Sequence, residues 1–267
     1  MRLHACALAA ALLLPTLPAV AADDEKPVVE INTRAIDISI SIEKELRAYP
    51  GLYDDLLAEA RKRAAKWQAD ADGERRRNPK SFQDRKWSAE CAYSQRSAIG
   101  RYISVLRDDD TYGGGAHGNT ISDTILWDRD TKKRISIRPF FKEMADNGPT
   151  MTALARLAQL AVAAEKISRD DTADKKLSPE KYLADNADIK NGIAPRLLGI
   201  GPISLAPSTS AGKSSGLTFH YSPYVVGAYA EGPFIVFVEW AKFRQFLSRE
   251  GETLFGGERP AKDAEDY

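Results

Sequence analysis

Residues 36–42 read IDISISI, and this alternation of isoleucine with aspartate and serine sets the architecture of the chain around it. Successive side chains of a β-strand point to opposite faces, so the pattern predicts a strand with one buried and one solvated face. Pro50 and Gly51 then break the chain. The next apolar residues recur at three- and four-residue steps and predict an amphipathic helix packed on the strand. They are Tyr53, Leu56, Leu57, Ala60, Ala64 and Trp67.

Strand patterns return beyond a charged connection at residues 70–80. Between residues 87 and 136, short apolar runs alternate with turn-forming residues such as Gly100 and the DRDT sequence at 128–131. Short strands separated by turns of this kind are typical of an antiparallel meander. We therefore expect this region to extend the sheet begun by residues 36–42.

A second half of the chain begins near Pro139. It combines helical spacing of apolar residues after Pro149, a short helix opened by Ser178, and closing strands at residues 217–221 and 234–238. The sequence thus predicts an α+β fold, with antiparallel sheets and packed helices in two pseudo-independent halves. The halves are expected at residues 22–138 and 139–250, and residues 251–267 are expected to form a disordered tail.

The first residues are typical of a secretory signal peptide. Arg2 precedes an apolar run from residue 5 to residue 14, which ends at Pro15 and is about half the length needed to span a membrane. Small side chains favour cleavage after Ala21, with Ala22 as the alternative. We therefore expect residues 1–21 to be removed, and the mature chain to be periplasmic or secreted without a transmembrane segment.

The two cysteines predict no internal disulfide. Cys6 lies in the signal peptide, which leaves Cys91 without a partner in the mature chain. Cys91 alternates with Ala89 and Tyr93 on one face of its strand. We expect it to be a buried structural thiol rather than a redox or nucleophilic one.

Gly113, Gly115 and Gly118 match the spacing of a dinucleotide-binding loop. That loop needs a following helix to direct amide dipoles at the phosphates, whereas this sequence continues as a strand. We expect the glycines to permit positive backbone angles in a tight connection between strands. The serine- and glycine-rich residues 208–216 contain a partial phosphate-loop pattern and are interpreted as a flexible linker.

Histidine is scarce, and the sequence predicts neither a metal site nor a cofactor. Of the three histidines, His4 lies in the signal peptide, which leaves His117 and His220. Two histidines and a carboxylate can hold zinc, but the HExxH spacing is missing from the sequence. A serine nucleophile elbow is missing as well, so no residue is assigned a catalytic role. Basic and acidic residues balance at 38 each, which argues against nucleic acid as a partner.

Several short motifs, taken together, resemble one known family. They are YISV at 102–105, TYGGGAHGN at 111–119, WD at 127–128, FF at 140–141, YSPY at 221–224 and YAEGPF at 229–234. The set resembles the extracellular lysozyme-binding region of RsiV-type anti-sigma factors. That region is a domain of unknown function also found ahead of the catalytic domain in some cell-wall polysaccharide deacetylases. The resemblance covers nearly all of the mature chain.

The resemblance implies an α+β fold of two packed halves and a role in binding. In the anti-sigma factors this region binds lysozyme outside the membrane, and binding exposes a cleavage site. Their membrane helix and sigma-binding segment have no counterpart in this sequence, so control of a sigma factor is not implied. The aspartate pair and spaced histidines of the deacetylases are also missing, so deacetylation is not implied either.

We therefore expect a non-catalytic, exported cell-envelope binding module that recognises a lysozyme-like muramidase or peptidoglycan. Tyrosine supplies large contact area at low entropic cost, which favours exposed tyrosines and the glycine loop as the contact surface. Core packing is an equally good interpretation of each tyrosine. An envelope hydrolase that acts on cell-wall polysaccharide with His117 as general base is the alternative function. The candidate binding residues are Tyr112, Gly114, Gly115, His117, Asn119, Tyr221, Tyr224 and Tyr229.

Overall fold

The computed structural model describes residues 26–83, 85–170 and 176–265. The expected signal peptide, residues 1–21, lies outside these ranges, so its cleavage and the export of the chain stay predictions. Over the described residues, no helix combines the length and the apolar character needed to cross a membrane.

Six strands form one mixed sheet in sequence order. They are β1 (Val29–Asn32), β2 (Ile36–Ile42), β3 (Trp87–Ile99), β4 (Tyr102–Tyr112), β5 (Asn119–Asp128) and β6 (Lys133–Ile135). Strands β3 to β6 pair antiparallel in succession, which confirms the predicted meander. Strand β1 also pairs antiparallel with β2 at the outer edge.

The pairing of β2 with β3 is parallel and differs from the expected antiparallel arrangement. The chain between these strands forms helix α1 (Pro50–Arg77), which is long enough to return the chain to the end of the sheet where β2 began. A crossover helix of this kind joins parallel neighbours. Helix α1 also continues through residues 70–77, expected as a surface connection, because arginines in its last turn complement the helix dipole.

A buried core fills the space between α1 and the large sheet. The predicted dry face of β2 is confirmed, since its four isoleucines are at most 2% exposed. Leu52, Leu56 and Ala60 of α1 are buried against them. Cys91 is also buried in this core, where burial and then the nearby Asp109 carboxylate raise the pKa of its thiol to about 12. The prediction of a buried thiol is therefore confirmed.

The second half contains a three-stranded antiparallel sheet and a helical layer. The strands are β7 (Ile203–Ala206), β8 (Gly216–Tyr221) and β9 (Phe234–Glu239), and the helices are α2 (Pro149–Arg169), α3 (Pro179–Asp185) and α4 (Ala187–Gly192). Helix α2 packs on β9, and its apolar face shares a core with Leu217, Phe219 and Val236. Two sheets with packed helices make an α+β fold, as the sequence predicts.

Strand β7 joins the two halves. One of its edges pairs with β8. On the other edge, the amide of Ile203 donates to Thr124 Oγ1 at 2.9 Å and the amide of Leu205 donates to Ser104 Oγ at 3.1 Å. Because Thr124 and Ser104 belong to β5 and β4, the edge of the small sheet meets a face of the large one. Leu126 of β5 is part of the second core as well, so the two halves share buried residues.

Residues 251–255 differ from the expected disordered tail. Helix α5 (Arg249–Leu254) ends there, and Leu254 and Phe255 are 5% and 3% exposed. Phe255 forms a bridge with Ser214, so the stretch expected as a flexible linker is anchored at the same point. Burial of the adjacent side chains of Leu254 and Phe255 orders this segment, although the residues around them carry mixed charge. A last helix, α6 (Ala261–Glu265), follows.

Candidate functional site

Three of the predicted binding residues come together on the surface. His117 lies in the loop between β4 and β5, and Tyr224 and Tyr229 lie in the loop between β8 and β9. The rings of His117 and Tyr229 stack with their centroids 4.1 Å apart, and the ring centroids of Tyr224 and Tyr229 are 5.3 Å apart. We call these three side chains the aromatic cluster. Loops from the two halves therefore meet at one set of rings.

Two hydrogen bonds fit one tautomer of a neutral His117 ring. Its Nδ1 lies 2.7 Å from the carbonyl oxygen of Gly118, which only accepts, so Nδ1 is assigned the proton. The hydroxyl of Tyr224 lies 3.3 Å from Nε2 and donates to it. The imidazole is thus held between a backbone carbonyl and two tyrosines, and the described contacts of His117 include no carboxylate.

Glycines shape the loop that carries His117. Gly114 has a φ of +89°, a left-handed conformation that residues with a side chain rarely adopt. At Gly118, an added Cβ would lie 3.2 Å from the carbonyl oxygen of Thr111, so a side chain would crowd the hairpin. The tight connection between strands is confirmed, but the expected positive backbone angles are wrong for Gly113, Gly115 and Gly118, because the positive φ of this loop is at Gly114.

A strained turn presents Tyr224 to solvent. The amide of Val225 donates to the carbonyl oxygen of Ser222 at 3.2 Å, with Pro223 and Tyr224 at the two central positions. Tyr224 has a φ of +71°, as in a type II turn, where glycine is the usual residue. A tyrosine in this conformation costs about 1 kcal/mol or more. Its side chain is 59% exposed, so burial does little to offset the cost.

An ion pair between a buried lysine and an exposed glutamate fixes the second part of this loop. The Lys166 side chain on α2 is 7% exposed and pairs with Glu231, and its Nζ lies 4.9 Å from the centroid of the Phe234 ring. The second carboxylate oxygen of Glu231 accepts a hydrogen bond from the amide of Ala228 at 2.7 Å. Burial raises the pKa of Glu231, but the hydrogen bonds from Lys166 and Ala228 outweigh it and lower that pKa. Tyr229, next to Ala228, is therefore positioned by an ionised pair.

A cavity of about 390 Å³ lies beside Tyr224. Its walls come from α4 and from the loop between β8 and β9. Gly192 is packed closely against this loop, since an added Cβ would lie 1.9 Å from the carbonyl oxygen of Val225. A ligand in the cavity would adjoin the aromatic cluster. The lining residues are Asp188, Asn191, Gly192, Tyr224, Val225, Gly227 and Ala228.

The other five candidate residues lie outside the cluster. Tyr221 requires a correction, because it is 1% exposed and its hydroxyl donates to the carbonyl oxygen of Ile200 at 2.9 Å. Both faces of β8 are covered, so Tyr221 packs in the core and has no accessible surface to offer a partner. Tyr112 is half-buried at the end of β4, and its hydroxyl accepts a hydrogen bond from Arg85. The last three candidates are exposed and lie in the same hairpin as His117. They are Gly114, Gly115 and Asn119.

The second histidine of the mature chain is buried. His220 Nε2 lies 2.9 Å from Ser204 Oγ, and the two residues are 1% and 2% exposed. Burial, together with the charge of Arg96, lowers the pKa of His220 to about 3, so its imidazole is neutral at physiological pH. Because a substrate has no access to Ser204, this serine–histidine pair is structural rather than nucleophilic.

Sequence reasoning missed the residues of the cavity on α4. Asp188 and Asn191 belong to a six-residue helix that directly follows α3 and carries no motif that marks a site. The pair Asn191-Gly192 is the one usable signal, because it is typical of a turn. A turn signal predicts an exposed position but not a cavity.

Comparisons with known proteins identify part of the chain. Residues 140–241 match the family model "Protein of unknown function (DUF3298)". The fold is similar to that of a DUF3298 family protein from Pseudomonas aeruginosa PAO1, with 16% identity, 84% of this chain and 88% of that chain covered, and a TM-score of 0.50. A DUF3298 family member from Bacteroides fragilis NCTC 9343 has 18% identity over 79% of this chain and 72% of that chain, with a TM-score of 0.48. No curated protein sequence matches the chain.

The matched region covers one side of the aromatic cluster. It contains Tyr224 and Tyr229, whereas His117 precedes it. At 16% identity, the Pseudomonas structure supports the fold alone. The family match shows a domain of unknown function in the second half of the chain and gives it no ligand.

Proposed function

We propose that this chain is an exported, non-catalytic binding module of the cell envelope, with the aromatic cluster as its contact surface. Tyr224 is the main support, because it is strained, exposed and in contact with rings from both halves. An exposed ring that is held at an energetic cost is favoured where it contacts another molecule. Export rests on the signal pattern of residues 1–21.

The cluster has the properties of a preorganised protein-binding patch. A turn fixes Tyr224, an ion pair fixes the backbone beside Tyr229, and hydrogen bonds fix His117. Side chains that are already ordered lose little entropy on binding, so more of their contact energy contributes to affinity. Val225, which is 38% exposed, extends the patch with an apolar group.

A lysozyme-like muramidase is the partner that we propose. The motifs that resemble the lysozyme-binding region of the anti-sigma factors are distant in sequence. His117 belongs to TYGGGAHGN, Tyr224 to YSPY and Tyr229 to YAEGPF, and the rings of these three residues lie together. A shared contact surface gives these separate motifs one physical role.

Hydrolysis with His117 as general base has less support. A general base needs an orienting partner and a free nitrogen within reach of the substrate proton. The Gly118 carbonyl orients Nδ1, but Nε2 accepts from Tyr224 and the ring face is stacked on Tyr229. We therefore assign His117 a binding role.

Retention on immobilised lysozyme and on purified cell-wall sacculi tests the proposed function. We expect the mature chain to be retained by lysozyme, and Tyr224→Ala and Tyr229→Ala each to lower its affinity about tenfold or more, as for a central interface tyrosine. Leu198→Ala is the matched control, because Leu198 is 99% exposed and lies outside the cluster. Circular dichroism of each variant confirms that it is folded.

Two results would exclude this function. One is a wild-type chain that neither lysozyme nor sacculi retain. The other is a Tyr224→Ala chain that lysozyme retains as well as wild type. Release of sugar from sacculi that disappears in His117→Ala would instead support the hydrolase.

A further inference from the structure

The cavity beside Tyr224 has the size of a small-ligand site. Its volume of about 390 Å³ lies toward the lower end of ligand pockets, which range over about 300–1,000 Å³. A ligand of one or two small rings fits this volume, whereas a folded protein surface would contact only its rim. Both Tyr224 and α4 contribute side chains to the lining.

The polar part of the lining combines two different side chains. Asp188 and Asn191 are three residues apart on α4, which places them on the same side of the helix, and both are exposed. A carboxylate only accepts hydrogen bonds, whereas a carboxamide both donates and accepts. The pair therefore suits a ligand that carries hydroxyl groups together with an amide.

The apolar part of the lining comes from the strained turn. The ring of Tyr224 and the isopropyl group of Val225 are 59% and 38% exposed and both line the cavity. The C–H groups on one face of a pyranose form a flat apolar surface that packs on a tyrosine ring. A methyl group suits the side chain of Val225. Gly227 contributes only backbone to the lining.

We propose that this cavity binds an N-acetylated amino sugar, the repeating unit of cell-wall glycans. The pyranose packs on Tyr224, and a ring hydroxyl donates to Asp188. The acetamido group pairs with the carboxamide of Asn191 and places its methyl group on Val225. This inference rests on the proposed function, because both need the exposed ring of Tyr224, and it adds a glycan contact beside the protein contact.

A lysine or arginine side chain of a protein partner is the competing occupant. A cation would use the carboxylate of Asp188 and the face of a tyrosine ring. The carboxamide oxygen of Asn191 would also accept from it, but this neutral group contributes less than the Asp188 carboxylate, so a cation would depend mainly on Asp188. Replacing Asp188 and Asn191 separately therefore distinguishes the two occupants.

Titration of the mature chain with N-acetylglucosamine trisaccharide, followed by NMR, tests the inference. We expect saturable shifts, and about tenfold weaker binding in Asn191→Ala and in Tyr224→Ala, as for the loss of one well-placed contact. Cellotriose, which lacks the acetamido group, should bind about tenfold more weakly than the acetylated sugar. Asp185→Asn is the matched control, because Asp185 is an exposed acid on α3 that does not line the cavity.

The outcomes separate this inference from the proposed function. If Asn191→Ala no longer binds the sugar but still binds lysozyme, the sugar site and the protein contact are both supported. If wild type binds lysozyme but shows no shifts with the sugar, or binds cellotriose equally well, the sugar site is wrong and the protein contact stands. Unchanged sugar affinity in Asn191→Ala also overturns the sugar site. A loss of lysozyme affinity that occurs in Asp188→Asn but not in Asn191→Ala assigns the cavity to a cationic side chain of the protein partner. If wild type binds neither lysozyme nor the sugar, both proposals fail.

Discussion

Tyr224 has a backbone conformation that favours glycine, and its ring gains little burial in return. His220 shows the opposite arrangement, because it is an ionisable group that is almost fully buried and neutral. The first side chain is costly on the surface, where we propose that it contacts a partner. The second is costly inside the fold, where it packs with Ser204 at the expense of stability in acid.

Replacing Tyr224 by glycine and by alanine separates backbone strain from ring contacts. Both variants lose the ring, but only alanine keeps a side chain at a φ of +71°. We expect Tyr224→Gly to be more stable than Tyr224→Ala by about 1 kcal/mol in urea unfolding, the reverse of the usual order of these residues. Both variants should bind lysozyme about tenfold or more weakly than wild type. A more stable alanine variant would show that the turn is not strained.

The stability of the protein should depend on pH through His220. The pKa of this residue falls from 6.5 to about 3 on folding, so between these values the unfolded chain binds a proton that the folded chain does not. Stability is therefore fully present above pH 6.5 and decreases as the pH falls, by up to about 1.4 kcal/mol per pH unit for one proton.

Urea unfolding between pH 7 and pH 4 measures this dependence. His220→Asn removes the titrating group, so its free energy of unfolding should decrease less steeply with falling pH than that of wild type. Parallel pH profiles for the two proteins would rule out His220 as the source.

At the scale of elements, local periodicity predicted strand β2 and the start of α1, because both patterns repeat within a few residues. The parallel pairing of β2 with β3 depends on the full length of α1, which extends beyond its apolar stripe into the arginines at 75–77. Leu254 and Phe255 are only two apolar residues, which is too few to show the periodicity of a helix or a strand. The sequence therefore gives no means of distinguishing their packed conformation from a disordered tail.

The candidate site could be predicted only in part for the same reason. Motifs identified His117, Tyr224 and Tyr229, but no local pattern shows that their loops meet. Tyr221 and Tyr224 are both tyrosines of the YSPY motif, so residue type does not distinguish them. Only the layers that cover both faces of β8 place Tyr221 in the core. Asp188 of the cavity depends on the position of α4, which is a tertiary feature.

Gly192→Ala tests whether α4 supports the turn that carries Tyr224. An added Cβ would lie 1.9 Å from the carbonyl oxygen of Val225, so the helix or the turn must move. We expect the free energy of unfolding to fall by about 1–3 kcal/mol, as for overpacking, and lysozyme binding to weaken.

Gly73→Ala is the matched control for this substitution. Gly73 lies within α1, and an added Cβ would meet only flexible arginine side chains, at 3.8 Å and 3.9 Å. Alanine should stabilise this helix by about 0.5–1 kcal/mol and leave binding unchanged. An equal loss of stability in both variants would mean that α4 does not hold the turn.

At the scale of the whole molecule, the aromatic cluster depends on how the two sheets are joined. His117 belongs to a hairpin of the large sheet, whereas Tyr229 follows a strand of the small one. Hydroxyl groups on β4 and β5 accept the edge amides of β7, and Ser222 Oγ accepts the amide of Ser122 at 2.8 Å, close to the turn that carries Tyr224. The proposed contact surface is therefore a property of the junction rather than of either half.

A double-mutant cycle between His117 and Tyr229 asks most directly whether loops from the two halves act as one binding surface. The affinity for lysozyme is measured by equilibrium titration for wild type, His117→Ala, Tyr229→Ala and the double variant. Because the two rings stack at 4.1 Å, we expect non-additive losses with a coupling of about 0.5 kcal/mol or more. Strictly additive losses, or an affinity that none of the three variants changes, would contradict a single surface built from both halves.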